Sequence, residues 1–129
     1  MGLGVILDVV YNHLGPEGNN LKAFSADYFS HQYHSEWGES LNFDEENAAP
    51  VRAFVLANVR YWLAEFHLDG LRFDATQQLF DASPEPILSA AAREARVAAG
   101  DRGIFLVAEN EPLLDLSARL TQRPRVQHR

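Results

Sequence analysis

The chain has 129 residues, the size of one domain, and its 47% hydrophobic and 22% charged residues are an ordinary globular composition. Its net charge of −7 argues against binding nucleic acid by phosphate neutralisation, and the absence of cysteine excludes disulfides and thiolate metal sites. The longest early apolar run, Val5-Ile6-Leu7, breaks at Asp8 and is too short for a signal segment or a membrane span. We therefore expect a soluble, cytoplasmic chain with no membrane partner.

Residues 4–10 read as a parallel strand covered on both faces, because only Asp8 interrupts Val5, Ile6, Leu7, Val9 and Val10. Asn12 and His13 follow it. No element precedes this central-looking strand, which leads us to expect a missing N-terminus. From Leu14 to about Glu46 no helical or alternating pattern persists, and Gly15-Pro16 and Gly18-Asn19-Asn20 mark turns. A loop of this length is expected to be functional. It carries Phe24, Tyr28, Phe29, Tyr33, Trp37 and Phe43, with His31 and His34 among them. Aromatic faces suit sugar stacking, while packing onto the scaffold accounts for most of these rings.

Residues 50–66 read as a helix with Pro50 in its first turn. Val51, Val55, Val59, Trp62 and Phe66 share one face at this spacing. A strand follows at residues 71–73. Ser83 and Pro84 form an N-cap and N1 pair for a second helix, running to about residue 99 with Ile87, Leu88, Ala91, Ala95 and Ala98 inward and Gly100 ending it. Residues 104–108 are a further apolar strand, followed by Glu109-Asn110-Glu111-Pro112. The alternation implies an α/β fold of parallel strands with right-handed crossovers. Residues 122–129 are basic and without pattern.

Charged and amide side chains gather just beyond each strand: Asp8 with Asn12 and His13, Arg72 with Asp74, then Glu109. Such folds build active sites at the carboxyl ends of parallel strands. Residues i and i+2 of a strand point to one side, so Arg72 and Asp74 project together. A carboxylate beside a guanidinium stays ionised and can act as a nucleophile. Glu109, beyond an apolar strand, is placed to be buried and to donate a proton. Two carboxylates flanking one bond hydrolyse a glycoside. A structural ion pair is the plainer reading of Arg72 and Asp74 taken alone.

The segments Asp8-Val9-Val10-Tyr11-Asn12-His13, Gly70-Leu71-Arg72-Phe73-Asp74-Ala75 and Val107-Ala108-Glu109-Asn110 resemble three signature segments of the α-amylase superfamily, glycoside hydrolase family 13. The resemblance runs from about residue 2 to residue 112. It implies a (β/α)8 TIM barrel, here in part, with these strands as its third, fourth and fifth and a long loop after the third. It also implies Asp74 as nucleophile, Glu109 as acid/base, Arg72 and His13 as groups holding Asp74 and the sugar, and Asp8 as a structural carboxylate. Residues 12–19, Trp37-Gly38, residues 41–44 and residues 61–67 are similar to the enzymes that release trehalose from maltooligosyltrehalose. Glycogen branching enzymes share the stretch around residues 65–72 but usually carry a different first segment.

The substrate implied is an α-1,4-glucan ending in trehalose. Asn12 matches the calcium-holding Asn of many α-amylases, but Ala75-Thr76-Gln77-Gln78 supplies no His after Asp74, so we expect no metal and no cofactor. The family's third carboxylate, an Asp after a seventh strand, is not reached. We expect residues 1–112 to be a barrel fragment, residues 113–129 a divergent, disordered tail, and the chain by itself to be inactive. Three other readings compete with this one. A carbohydrate-binding module would need the aromatics without the Arg72, Asp74 and Glu109 set. A zinc site on His31, His34 and His67 lacks the i, i+4 helical pairing. A non-catalytic fragment would offer unpaired sheet edges to another chain.

Overall fold

The structure is a computed structural model that describes residues 2–35 and 37–110. The expected tail at residues 113–129 lies outside the described residues. The fold is α/β. Strand β1 (Ile6–Val9) is followed by β2 (His13–Leu14), β3 (Phe29–Ser35) and β4 (Gly38–Leu41). Helix α1 (Ala48–Ala64), β5 (Gly70–Phe73), α2 (Ile87–Ala99) and β6 (Phe105–Ala108) complete it. Strands β1, β5 and β6 form a parallel sheet in that order, as the alternation of the sequence implies.

Register fixes which residues share a face. Leu7, Leu71 and Leu106 lie in one row, and Val9, Phe73 and Ala108 in another. Leu7, Val9, Leu71, Phe73 and Leu106 pack with Val59 and Leu63 of α1 and Ala91 and Ala95 of α2. The opposite face carries Ile6, Asp8, Arg72, Phe105 and Val107. Ile6, Phe105 and Val107 are exposed there, as are Val5 and Val10. Among the described residues the sheet is therefore covered on one face, not on both as the apolar run of the first strand suggests. Gly70 is required by the pairing with β6: a Cβ there would lie 2.2 Å from the Phe105 carbonyl oxygen.

Helix α1 begins two residues before Pro50, after Asn47 in the left-handed region (φ 59°). Pro50 still falls in the first turn, where a missing N–H costs nothing. Val51, Val55, Val59 and Leu63 are its buried stripe. Trp62 is only partly buried against the core, and Phe66 is exposed, because the helix ends at Ala64 and its phase does not reach residue 66. Helix α2 starts at Ile87 with Pro86 at the N-cap position, so Ser83 does not cap it. Asp81 does that work from further back: its Oδ2 accepts the Ile87 N–H at 2.5 Å and Arg52 Nη1 at 2.6 Å. Ser83 donates its N–H to Asp81 Oδ1 at 2.9 Å. Arg52 also donates to the Phe43 carbonyl, which ties α1 to the segments on either side.

The long loop is in fact a second sheet, antiparallel, in the order β2-β4-β3. Its strands escape an alternation search because β3 is bulged. Between Phe29↔Leu41 and His34↔Glu39, β3 advances five residues while β4 advances two. The His31 and Gln32 N–H groups turn to the Glu45 carboxylate instead of to a strand, and Ser30 Oγ bonds the same carboxylate. Phe29, Leu41 and Phe43 bury with Val51, Val55 and Ile87 in a second core. Tyr11 and Leu56 pack against both cores. Packing thus accounts for Phe29 and Phe43, Tyr33 stacks on Phe80 at 5.0 Å, and Phe24 and Trp37 are exposed. No helix among the described residues is long and apolar enough to cross a membrane.

Two predictions follow from this packing. Burial pushes the Asp81 carboxyl up, but the bonds from Ser83, Arg52 and the Ile87 N–H outweigh it and hold its pKa below the ordinary 3.8. A carboxylate with a lowered folded pKa stabilises the fold above its unfolded value and loses that contribution as pH falls through the folded value. Urea midpoints should therefore drop between about pH 6 and about pH 3, and Asp81→Asn should lower the midpoint at the upper pH and flatten this slope. An unchanged slope would refute the role of Asp81. Gly70→Ala should cost about 1–3 kcal/mol through the clash with the Phe105 carbonyl; an unaltered urea midpoint would contradict the close approach.

Candidate active site

The polar residues picked out in the sequence converge at the carboxyl ends of β1, β5 and β6. Asp8 and Arg72 are register partners on the bare face of the sheet. Arg72 Nη1 donates to both Asp8 oxygens at 2.7 Å and to Asp74 Oδ1 at 3.2 Å. Arg72 Nη2 lies 3.8 Å from Glu109 Oε2. One guanidinium thus stands among three carboxylates. The i, i+2 relation of Arg72 and Asp74 holds, but Asp8 is the nearer partner. First the Asp8 bond, then, against partial burial, the Asp74 bond raise the Arg72 pKa above its already high range.

Backbone pairing fixes the two residues beyond the strands. The Asp74 N–H donates to the Val9 carbonyl at 3.0 Å and the Glu109 N–H to the Phe73 carbonyl at 2.9 Å, so each continues the ladder of its strand. Glu109 is not buried as expected. Its side chain is 33% exposed and that of Asp74 is 37% exposed, because nothing among the described residues covers this face of the sheet.

Two residues that sequence reasoning passed over hold Glu109. The Ala75 N–H donates to Glu109 Oε2 at 2.8 Å. Thr76 donates both its N–H and its Oγ1 to the Glu109 carbonyl, at 2.8 and 2.9 Å. Ala75 sits in the left-handed region at φ 44°, a conformation that costs a residue with a Cβ and persists only when its surroundings impose it. No residue type in the stretch signals this; it follows from the register of β5 on β6.

Asn12 is 1% exposed, at the start of the turn into β2. Its Nδ2 donates to the Asp74 and Ala75 carbonyls at 3.2 and 3.3 Å. Its Oδ1 meets His13 Nδ1 at 2.5 Å. Asp8, Asn12, His13, Arg72, Asp74 and Glu109 therefore form one connected cluster. The other histidines among the described residues do not join it. His31 bonds Glu45, and His67 sits in the α1–β5 turn at φ 51°. Among the described residues no three His, Asp or Glu groups come together as a metal site. A cleft of about 360 Å³ beside the start of α1, lined by Ser25, Asp27, Tyr28, Asn47, Pro50, Val51 and Phe54, shares no residue with the cluster.

Chemically, the cluster offers two carboxylates on neighbouring strands, one backed by a guanidinium and the other by a peptide N–H. Carboxylates are side chains that can serve as nucleophiles and as general acids or bases.

No protein-family model matches the chain. It is 52% identical over 88 residues to the malto-oligosyltrehalose trehalohydrolase of Saccharolobus solfataricus, covering 68% of this chain and 16% of that protein. It is 41% identical over 116 residues to the enzyme of the same name from Deinococcus radiodurans, covering 90% of this chain and 19% of that protein. A 1,4-alpha-glucan branching enzyme of Prochlorococcus marinus is a weaker match, 37% identical over 84 residues, 60% of this chain and 11% of that protein. Among solved structures, a Salmonella typhimurium protein of proposed alpha-amylase type superposes with a TM-score of 0.78 and 39% identity, covering 84% of this chain and 18% of that one. The chain spans between 11% and 19% of the length of these relatives.

Proposed function

We propose that this chain, whose sequence belongs with the malto-oligosyltrehalose trehalohydrolases, carries the nucleophile and the acid/base of a retaining glycosidase that frees trehalose from maltooligosyltrehalose. In this reading β1, β5 and β6 are the third, fourth and fifth strands of a (β/α)8 barrel. Residues 1–112 belong to that barrel, residues 113–129 are a divergent tail, and the site works in the cytoplasm. The observation that carries the proposal is Arg72 standing among Asp8, Asp74 and Glu109 at three adjacent strand ends. The bare, partly apolar face of the sheet supports the barrel, since a barrel fills its interior with such side chains.

The chemistry runs in two displacements. Asp74 attacks the anomeric carbon of the glucose joined to trehalose, and the bond to the bridging oxygen breaks. Glu109 gives its proton to that oxygen, and trehalose leaves. Glu109, now a carboxylate, takes a proton from water. The hydroxide so formed attacks the same carbon, releasing the maltooligosaccharide and restoring Asp74. Arg72 orients the Asp74 carboxylate for attack and receives it again when the second displacement frees it. Asp8 balances Arg72 from the far side, and His13 holds the sugar.

The test is a chimera in which this chain replaces the aligned stretch of the Deinococcus radiodurans enzyme. It should release trehalose from maltooligosyltrehalose, and Asp74→Ala and Glu109→Gln should each lower turnover by about 10³-fold or more. Near-parental turnover in either variant would remove that residue's role. Formation of α-1,6 branches in place of trehalose would favour the branching enzymes. The 129-residue chain assayed alone should release no trehalose, because the bare sheet face cannot exclude water or hold a sugar. Release that disappears with Asp74→Ala would overturn this.

A further inference from the structure

Asn12 has more contacts than a buried turn residue needs. Its side chain faces two carbonyl oxygens, of Asp74 and Ala75, and only an amide NH2 can bond both. That choice fixes the rest of the group. Oδ1 must point to His13, and His13 Nδ1 must carry the proton it donates. The Asp74–Ala75–Thr76 turn is thus gripped from β1's end of the sheet. The Ala75 peptide that this grip holds in a left-handed conformation is the one whose N–H reaches Glu109 Oε2.

The two carboxylates depend on this grip unequally. Asp74 has supports of its own: the ladder bond to Val9 and the Arg72 guanidinium at 3.2 Å. Among the described residues the Glu109 carboxylate has one close donor, the Ala75 N–H at 2.8 Å, with Arg72 out at 3.8 Å. We propose that Asn12 is a positioning residue for the proton donor: by clamping the Asp74 and Ala75 carbonyls, it aims the Ala75 N–H and so holds Glu109 toward the leaving oxygen. The proposal rests on the roles given to Asp74 and Glu109 above. It assigns Asn12 to the geometry of the acid step and not to metal binding.

Leaving groups separate this from a general loss of structure. A sugar leaving group needs the Glu109 proton, whereas fluoride departs without one. In the chimera, Asn12→Ala should lower kcat on maltooligosyltrehalose by about 10–10²-fold with KM little changed. On α-maltotriosyl fluoride the loss in the first, glycosylating step should be at most about threefold, because Asp74 keeps its own supports. Asn12→Asp is nearly isosteric and keeps an acceptor for His13, but it presents oxygen to the two carbonyls and should behave in the same way. Adding Glu109→Gln should abolish most of the Asn12→Ala cost on maltooligosyltrehalose, since residues acting as one unit are not additive.

Equal losses on the two substrates, full additivity with Glu109→Gln, or no loss on either substrate would overturn the proposal. Failure of both Asn12 variants to fold would also overturn it, because the role of Asn12 would then be in folding. An unsubstituted chimera that releases no trehalose would fail the functional reading itself, a result distinct from all of these.

Discussion

Three carboxylates at the ends of three adjacent strands would repel one another if no cation stood between them, and Arg72 stands there. Two unit charges about 4 Å apart interact by about 4 kcal/mol at an effective dielectric near 20, and by less where water screens them. Asp8, Asp74 and Glu109 are each about a third exposed or more, so screening lightens the repulsion without removing it. The parallel register places Arg72 directly beside Asp8 and its strand beside β6, which brings the cation to all three. That pairing depends on the absence of a side chain at Gly70, where a Cβ would collide with β6. The chemistry of the site therefore rests on a backbone constraint two residues before Arg72.

The helices serve the same arrangement from behind. Val59 and Leu63 of α1 and Ala91 and Ala95 of α2 press on Leu71 and Phe73, so β5 is held on one face and presents Arg72 from the other. Arg102 closes the back, donating to the Leu63 carbonyl at 2.6 Å near the end of α1. The Arg52–Asp81 pair, with Asp81 almost wholly buried, joins α1 to the segment that leads into α2. Breaking a pair buried on one side leaves an uncompensated charge, which makes it a stronger tie than the exposed pairs of Arg93 with Glu85 and Glu94.

Much of this was legible in the residues. The four-residue steps of Val51, Val55 and Val59 gave α1, and Gly100, at φ 60°, ends α2 where it was expected. The i, i+2 rule put Arg72 beside Asp74. What escaped was whatever depends on pairing between distant segments. The bulge in β3 destroys its alternation, so a sheet read as a loop. Asp81 caps α2 from six residues before Ile87, whereas the local Ser-Pro pattern pointed to Ser83. The support that Ala75 and Thr76 give Glu109 crosses more than thirty positions and has no local signature. Asn12 stood out as a candidate, but its bonds to Asp74 and Ala75 exist only once β1 lies beside β5.

In the proposed mechanism Asp74 becomes covalently bonded to the sugar. A fluorine-deactivated maltooligosyl fluoride slows the second displacement and lets the glycosyl-enzyme accumulate. Mass spectrometry of the treated chimera, followed by peptide mapping, reads the bonded residue directly. One glycosyl adduct per protein is expected, on Asp74, in the peptide that begins at Phe73 after cleavage at Arg72. An adduct on Asp8 or Glu109, or hydrolysis with no adduct at any residue of this chain, would contradict it.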